Sequence, residues 1–121
     1  MVIVDSSGWI EYFSSGRRAA AYQKHLKDLR TVITPTIILY EVYKKIKREI
    51  SEEAALEAVS AMKQSQIVPL TESISLLAAD LSIKNALPMA DAIVYATAVE
   101  MECTVITSDS HFKGLDNVVL L

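Results

Sequence analysis

The chain begins Met1-Val2-Ile3-Val4-Asp5-Ser6-Ser7-Gly8. Consecutive β-branched apolar residues with no polar face are the pattern of a strand buried on both sides. The abrupt change to Asp-Ser-Ser-Gly supplies turn and helix-capping groups. A strand of that kind belongs inside a parallel sheet covered by helices. These eight residues therefore predict an α/β protein carrying a carboxylate at the end of its first strand.

The pattern recurs along the chain. Thr31-Val32-Ile33-Thr34 reads as a second buried strand, and Val105-Ile106, within Thr104 to Thr107, as another that runs into Ser108-Asp109. Gln66-Ile67-Val68-Pro69 reads as a short edge strand, because proline cannot donate to a central ladder. Asn117 to Leu120 makes the last strand. Helices are predicted through Trp9-Ile10, over Arg17 to Leu29, and from Pro35 with Ile38, Val42, Ile46 and Ile50 at four-residue spacing. Further helices are predicted from Ser51, over Glu72 to Asn85, and over Met89 to Glu102. Strands alternating with helices imply right-handed crossovers. The expected architecture is a three-layer sandwich with a central, mostly parallel sheet of four to five strands, formed by one domain spanning residues 1–121. Ligands in such sheets bind beyond the carboxyl ends of the strands.

Composition narrows the function. With 51% hydrophobic residues, three Gly and three Pro, the 121-residue chain can build a core without disulfides. A net charge of −3 gives no general attraction to nucleic acid or anionic membrane, so a nucleic-acid substrate requires a local basic patch. The single Cys103 lies in an apolar segment and reads as a small buried hydrophobe. That usage, with no bilayer-length apolar run and no signal-peptide pattern, leads to the expectation of a soluble cytoplasmic protein.

Four acids stand where charge is least welcome: Asp5, Glu41, Asp91 and Asp109. Each has a structural use when taken alone. Asp5 and Asp109 can cap the helical turns that follow them. Asp91 lies in a first helical turn, where the macrodipole favours it. Glu41 can pair with Lys45 one turn on, worth only ~0.3–0.5 kcal/mol. Jointly they are harder to dismiss. Asp91 is the sole charge between Ala86 and Val99, and Glu41 sits among Ile37, Ile38, Leu39 and Val42. Four carboxylates in one pocket repel unless cations intervene. Hard oxygen donors suit one or two Mg²⁺ or Mn²⁺ ions, and no Cys/His cluster points to zinc.

Three stretches now carry a family resemblance: Val2 to Ser7, Leu87-Pro88-Met89-Ala90-Asp91-Ala92-Ile93-Val94-Tyr95-Ala96-Thr97-Ala98, and Val105-Ile106-Thr107-Ser108-Asp109-Ser110-His111-Phe112. With Glu41 between them in matching order, the chain resembles over its whole length the PIN-domain ribonucleases, especially the VapC-like toxins of toxin–antitoxin modules. The resemblance implies that Asp5, Glu41, Asp91 and Asp109 bind metal and catalyse, with Thr107 and Ser6 or Ser7 in support. It implies a metal-dependent endoribonuclease leaving 5′-phosphate and 3′-hydroxyl ends, an RNA substrate, a cognate antitoxin and a homodimer. Many relatives carry another acid two residues after the last strand's Asp, where this chain has His111. Asp116 is the other acid nearby, in what reads as a surface turn.

Substrate contacts are less legible. Lys44 and Lys45, in the basic run Lys44 to Arg48, are either phosphate ligands beside Glu41 or a solvated helix face. Arg17, with Arg18, is a second candidate, and His111 suits either substrate contact or a solvated turn. Trp9 and Phe13 are expected in the core, Tyr40 and Tyr43 in the core or a dimer contact, and His25 on a helix surface. A housekeeping or structure-specific RNA nuclease and a non-catalytic PIN-like binding module are the competing functions. Haloacid-dehalogenase chemistry would need an acid where Ser7 stands. A receiver domain would need paired acids at the first strand and a phosphoacceptor near Thr71.

Overall fold

The computed structural model describes residues 1–121. Five strands, β1 (Val2–Val4), β2 (Val32–Pro35), β3 (Gln66–Val68), β4 (Thr104–Thr107) and β5 (Val118–Leu120), form one sheet in the order β3-β2-β1-β4-β5. Every pairing is parallel. Six helices complete the chain: α1 (Ser6–Ser14), α2 (Ala19–Leu26), α3 (Thr36–Glu49), α4 (Glu52–Met62), α5 (Glu72–Asn85) and α6 (Met89–Met101). The central strands carry the fully apolar runs, and Ile3, Val4, Val32, Ile33, Val105 and Ile106 are all buried. At the sheet edge, β3 stops just before Pro69, as its missing N–H requires.

From β1 the chain moves to β2 on one side, while β4 returns on the other. This is the point where strand order reverses, and it opens a crevice at the carboxyl ends of β1 and β4. The Asp5 backbone N–H continues the ladder to the Ile106 carbonyl at 3.0 Å, so the first acid is tied to the end of β4 as well as β1.

Some boundaries differ from the sequence reading. The helix expected over Arg17 to Leu29 is shorter, because Gly16 to Arg18 form a turn closed by the Ala19 N–H on the Gly16 carbonyl. Its far end is cut by Asp28, whose carboxylate accepts from the Arg30 N–H and starts a 3-10 turn, Leu29–Thr31. In α3, Ile38, Val42 and Ile46 form the buried stripe, but Ile50 lies one residue past the helix and is 67% exposed. It borders an apolar cleft with Ile10, Phe13, Ile46 and Ala58. Trp9 is buried and stacks on Phe13 with ring centroids 5.8 Å apart. Tyr43 packs partly on the core, whereas Tyr40 is exposed and its hydroxyl accepts from the Lys44 ammonium at 3.2 Å. His25 is half-buried on α2, with no partner for Nε2.

Candidate active site

Asp5 is the residue between β1 and α1, and its two carboxylate oxygens are held by different elements. As N-cap, its Oδ1 accepts from the Ser6 N–H at 2.8 Å. Its Oδ2 accepts from the Thr107 hydroxyl at 2.9 Å, from the last residue of β4. Thr107 Oγ1 in turn accepts the Asp109 N–H at 3.0 Å. One buried hydroxyl therefore fixes the carboxylate after β1 relative to the loop after β4. The loop is held from below as well, where the Tyr22 hydroxyl bonds Ser108 Oγ at 3.0 Å.

Asp109 caps the 3-10 turn Ser110–Phe112, accepting from the His111 N–H at 2.9 Å. That turn brings the imidazole back over the acids. His111 Nδ1 lies 2.9 Å from Asp109 Oδ1 and 3.2 Å from Asp91 Oδ2. Asp91 comes from the first turn of α6, where Pro88 starts the helix and residues from Ala92 to Ala98 are largely buried. Glu41 comes from the second turn of α3.

The four acids converge. Each of their six pairings is close enough for mutual repulsion to raise a carboxyl pKa. For Asp5, Glu41 and Asp91 burial is the largest cause. It raises Asp5 against the opposing hydrogen bonds from Thr107 and Ser6, and raises Glu41 with the charges of Asp5 and Asp109 adding to it. Asp91 is pushed furthest, to about 7, by burial, then by Asp109 and Asp5. No Lys or Arg nitrogen lies within 4 Å of any of them. The rival pairing of Glu41 with Lys45 is therefore not made. Like charges ~4 Å apart repel by about 4 kcal/mol at an effective dielectric near 20. Carboxylates with no basic side chain but one imidazole fit a divalent cation, and donor atoms of Asp91, Asp109 and His111 all lie within 4.8 Å of one another.

Beside the acids, a cleft of about 400 Å³ is lined by Ser6, Ser7, Tyr40, Glu41, Lys44, Lys45 and Arg48, among others. The basic face of α3 thus adjoins Glu41. Ser7 Oγ is buried there without a partner. Arg17 is not among the residues that line this cleft; it follows the left-handed C-cap Ser15 at the far end of α1, in a turn whose Gly16 and Arg18 N–H groups are held by Glu11. Asp116 is exposed and contributes its carbonyl to the Tyr95 hydroxyl at 3.0 Å, rather than a carboxylate to the acids. The links from Tyr22 to Ser108 and from Thr107 to Asp5 span 86 and 102 residues, and no local spacing announces them.

A family model for the PIN domain matches residues 2–118. The chain belongs to the PIN domain family. Solved structures share this PIN fold over nearly their full length. A toxin–antitoxin complex from Klebsiella pneumoniae superposes with a TM-score of 0.85 at 23% identity, covering 98% of this chain and 96% of the other. The sarcin–ricin-loop-cleaving toxin VapC20 of Mycobacterium tuberculosis gives 0.81 at 16% identity, covering 98% and 97%. VapBC2 of Rickettsia felis, bound to a DNA fragment from its promoter, gives 0.79 at 14%, covering 100% and 98%. No curated protein matches the chain by sequence. No helix of this PIN domain is long and apolar enough to cross a membrane.

Proposed function

We propose that the chain is a metal-dependent endoribonuclease and the toxin of a toxin–antitoxin pair. One observation carries the nuclease reading: four carboxylates from separate elements meet at the switch point of the sheet without a basic counter-charge, beside a cleft lined by Lys44, Lys45 and Arg48. Membership of the PIN family and the toxins among its structural neighbours support the biological role.

In this reading Asp5, Asp91 and Asp109 hold one or two Mg²⁺ or Mn²⁺ ions. The chemistry such an ion supplies is polarisation of a phosphoryl oxygen and activation of water. Thr107 holds Asp5 and the Asp109 backbone in register, so the carboxylates need little reorganisation when substrate arrives. Glu41 is the proton acceptor. It lies on the side of the cluster facing the basic cleft, and burial raises its basicity. Lys44 and Lys45 contact RNA phosphates, positioning the strand without reading its sequence. The products carry 5′-phosphate and 3′-hydroxyl ends. The protein acts as a homodimer with a cognate antitoxin as its inhibitor.

The division of labour is tested by Glu41→Gln. RNA cleavage should fall by about 10²–10⁴-fold, while Mn²⁺ affinity from calorimetry stays within about threefold. Equal loss of binding and cleavage would remove Glu41 from the proton-transfer role. Growth arrest on expression, abolished by Asp5→Asn, tests the toxin assignment. A chain that cleaves RNA without arresting growth favours an RNA-processing nuclease instead.

A further inference from the structure

We propose that His111 is itself a metal ligand and gives this site a preference for Mn²⁺ over Mg²⁺. The inference rests on the metal-dependent reading above and adds the identity of a donor and of the preferred ion. Two distances carry it. His111 Nδ1 stands 2.9 Å from Asp109 Oδ1 and 3.2 Å from Asp91 Oδ2. Donor atoms bound at right angles to one ion through bonds of ~2.1 Å are separated by about 3.0 Å. The imidazole nitrogen thus already stands from each carboxylate oxygen at the spacing of neighbouring donors around one cation, and all three donors lie within 4.8 Å of one another.

The backbone prepares this arrangement. Asp109 accepts the His111 N–H at 2.9 Å, which bends the chain so that the side chain returns over its own cap. The ring is half exposed, so the other nitrogen can keep its proton in solvent while Nδ1 offers a lone pair. Neither Asp91 nor Asp109 has a Lys or Arg partner competing for its outward oxygen. A nitrogen donor among carboxylates changes which ion is held best. Mg²⁺ favours an all-oxygen shell, whereas imidazole binds Mn²⁺ and the later first-row ions with increasing strength.

The same spacing would suit an imidazolium merely hydrogen-bonded between two carboxylates, and electron spin-echo spectroscopy separates the two. The intact protein loaded with Mn²⁺ should show ¹⁴N modulation from a directly bound imidazole. The modulation should vanish in His111→Asp and persist in His25→Gln, the only other histidine. By calorimetry, the preference for Mn²⁺ over Mg²⁺ should fall roughly tenfold in His111→Asp, because the aspartate restores an oxygen donor. Bound Mn²⁺ without nitrogen modulation overturns the role of His111 and leaves the nuclease reading intact. Failure of the parent protein to bind Mn²⁺ overturns both.

Discussion

Thr107 is the residue on which the alignment of the acids turns. Its hydroxyl donates to Asp5 and accepts from the Asp109 N–H, both within 3.0 Å and away from water. Thr107→Val keeps the shape but strands both partners, and should cost about 1–3 kcal/mol in urea denaturation as well as most of the cleavage activity. Asp91 makes a pH-dependent prediction for the metal-free protein. Its folded value of about 7 lies above the ordinary aspartate value of 3.8, so between those limits the folded state holds a proton that the unfolded chain has released. Stability from this group is therefore present at low pH and lost as pH rises through 7. Asp5 and Glu41 are shifted the same way. Asp91→Asn should raise metal-free stability at pH 8 by about 1–2 kcal/mol and leave it little changed at pH 4. A parent protein that gains stability between pH 4 and 8 without metal would contradict the mutual repulsion. Asp91 is legible in the sequence because its helix offers it no partner. Glu41 is legible less firmly, from its apolar neighbours and its place in the motif order, since Lys45 sits one turn away, and the tertiary structure shows that the two remain unpaired.

At the scale of elements, α1 must seat closely on the sheet to keep Asp5 at the crevice. Gly8 makes that possible, for a Cβ there would meet the Tyr22 ring and come within 2.7 Å of Val4 Cγ1. Gly8→Ala should therefore destabilise the fold by about 1–3 kcal/mol despite the better helix propensity of alanine, as a lowered thermal midpoint. An unchanged midpoint would mean that α1 can shift outward. The basic face of α3 has its own test. Changing Lys44 and Lys45 to Gln should reduce the salt slope of RNA binding by up to about two. An unchanged slope would return both residues to the role of a solvated face. The strands were legible because apolar β-branched runs have few other uses. The limits of α2 were hidden, because local hydrogen bonds by Gly16 and Asp28 override the helical pattern.

On the scale of the whole molecule, the sheet order β3-β2-β1-β4-β5 does the assembling. It puts β1 and β4 side by side although about 100 residues separate them, so that Asp5 and Asp109 become neighbours. The alternation of strands and helices pointed to this architecture, but strand order is set by packing of the complete chain and not by any local pattern. The same assembly places α3 and α6 over the crevice and supplies Glu41 and Asp91. In the function proposed above, these four acids, brought together by the fold, make a divalent-metal site for RNA hydrolysis. The most direct measurement is cleavage of a single-stranded RNA by the purified protein with Mn²⁺ or Mg²⁺, with the metal removed by EDTA, and by Asp5→Asn with metal. Cleavage leaving 5′-phosphate ends, confined to the metal-loaded parent protein, is the result predicted. Undiminished cleavage in EDTA or by Asp5→Asn would contradict it.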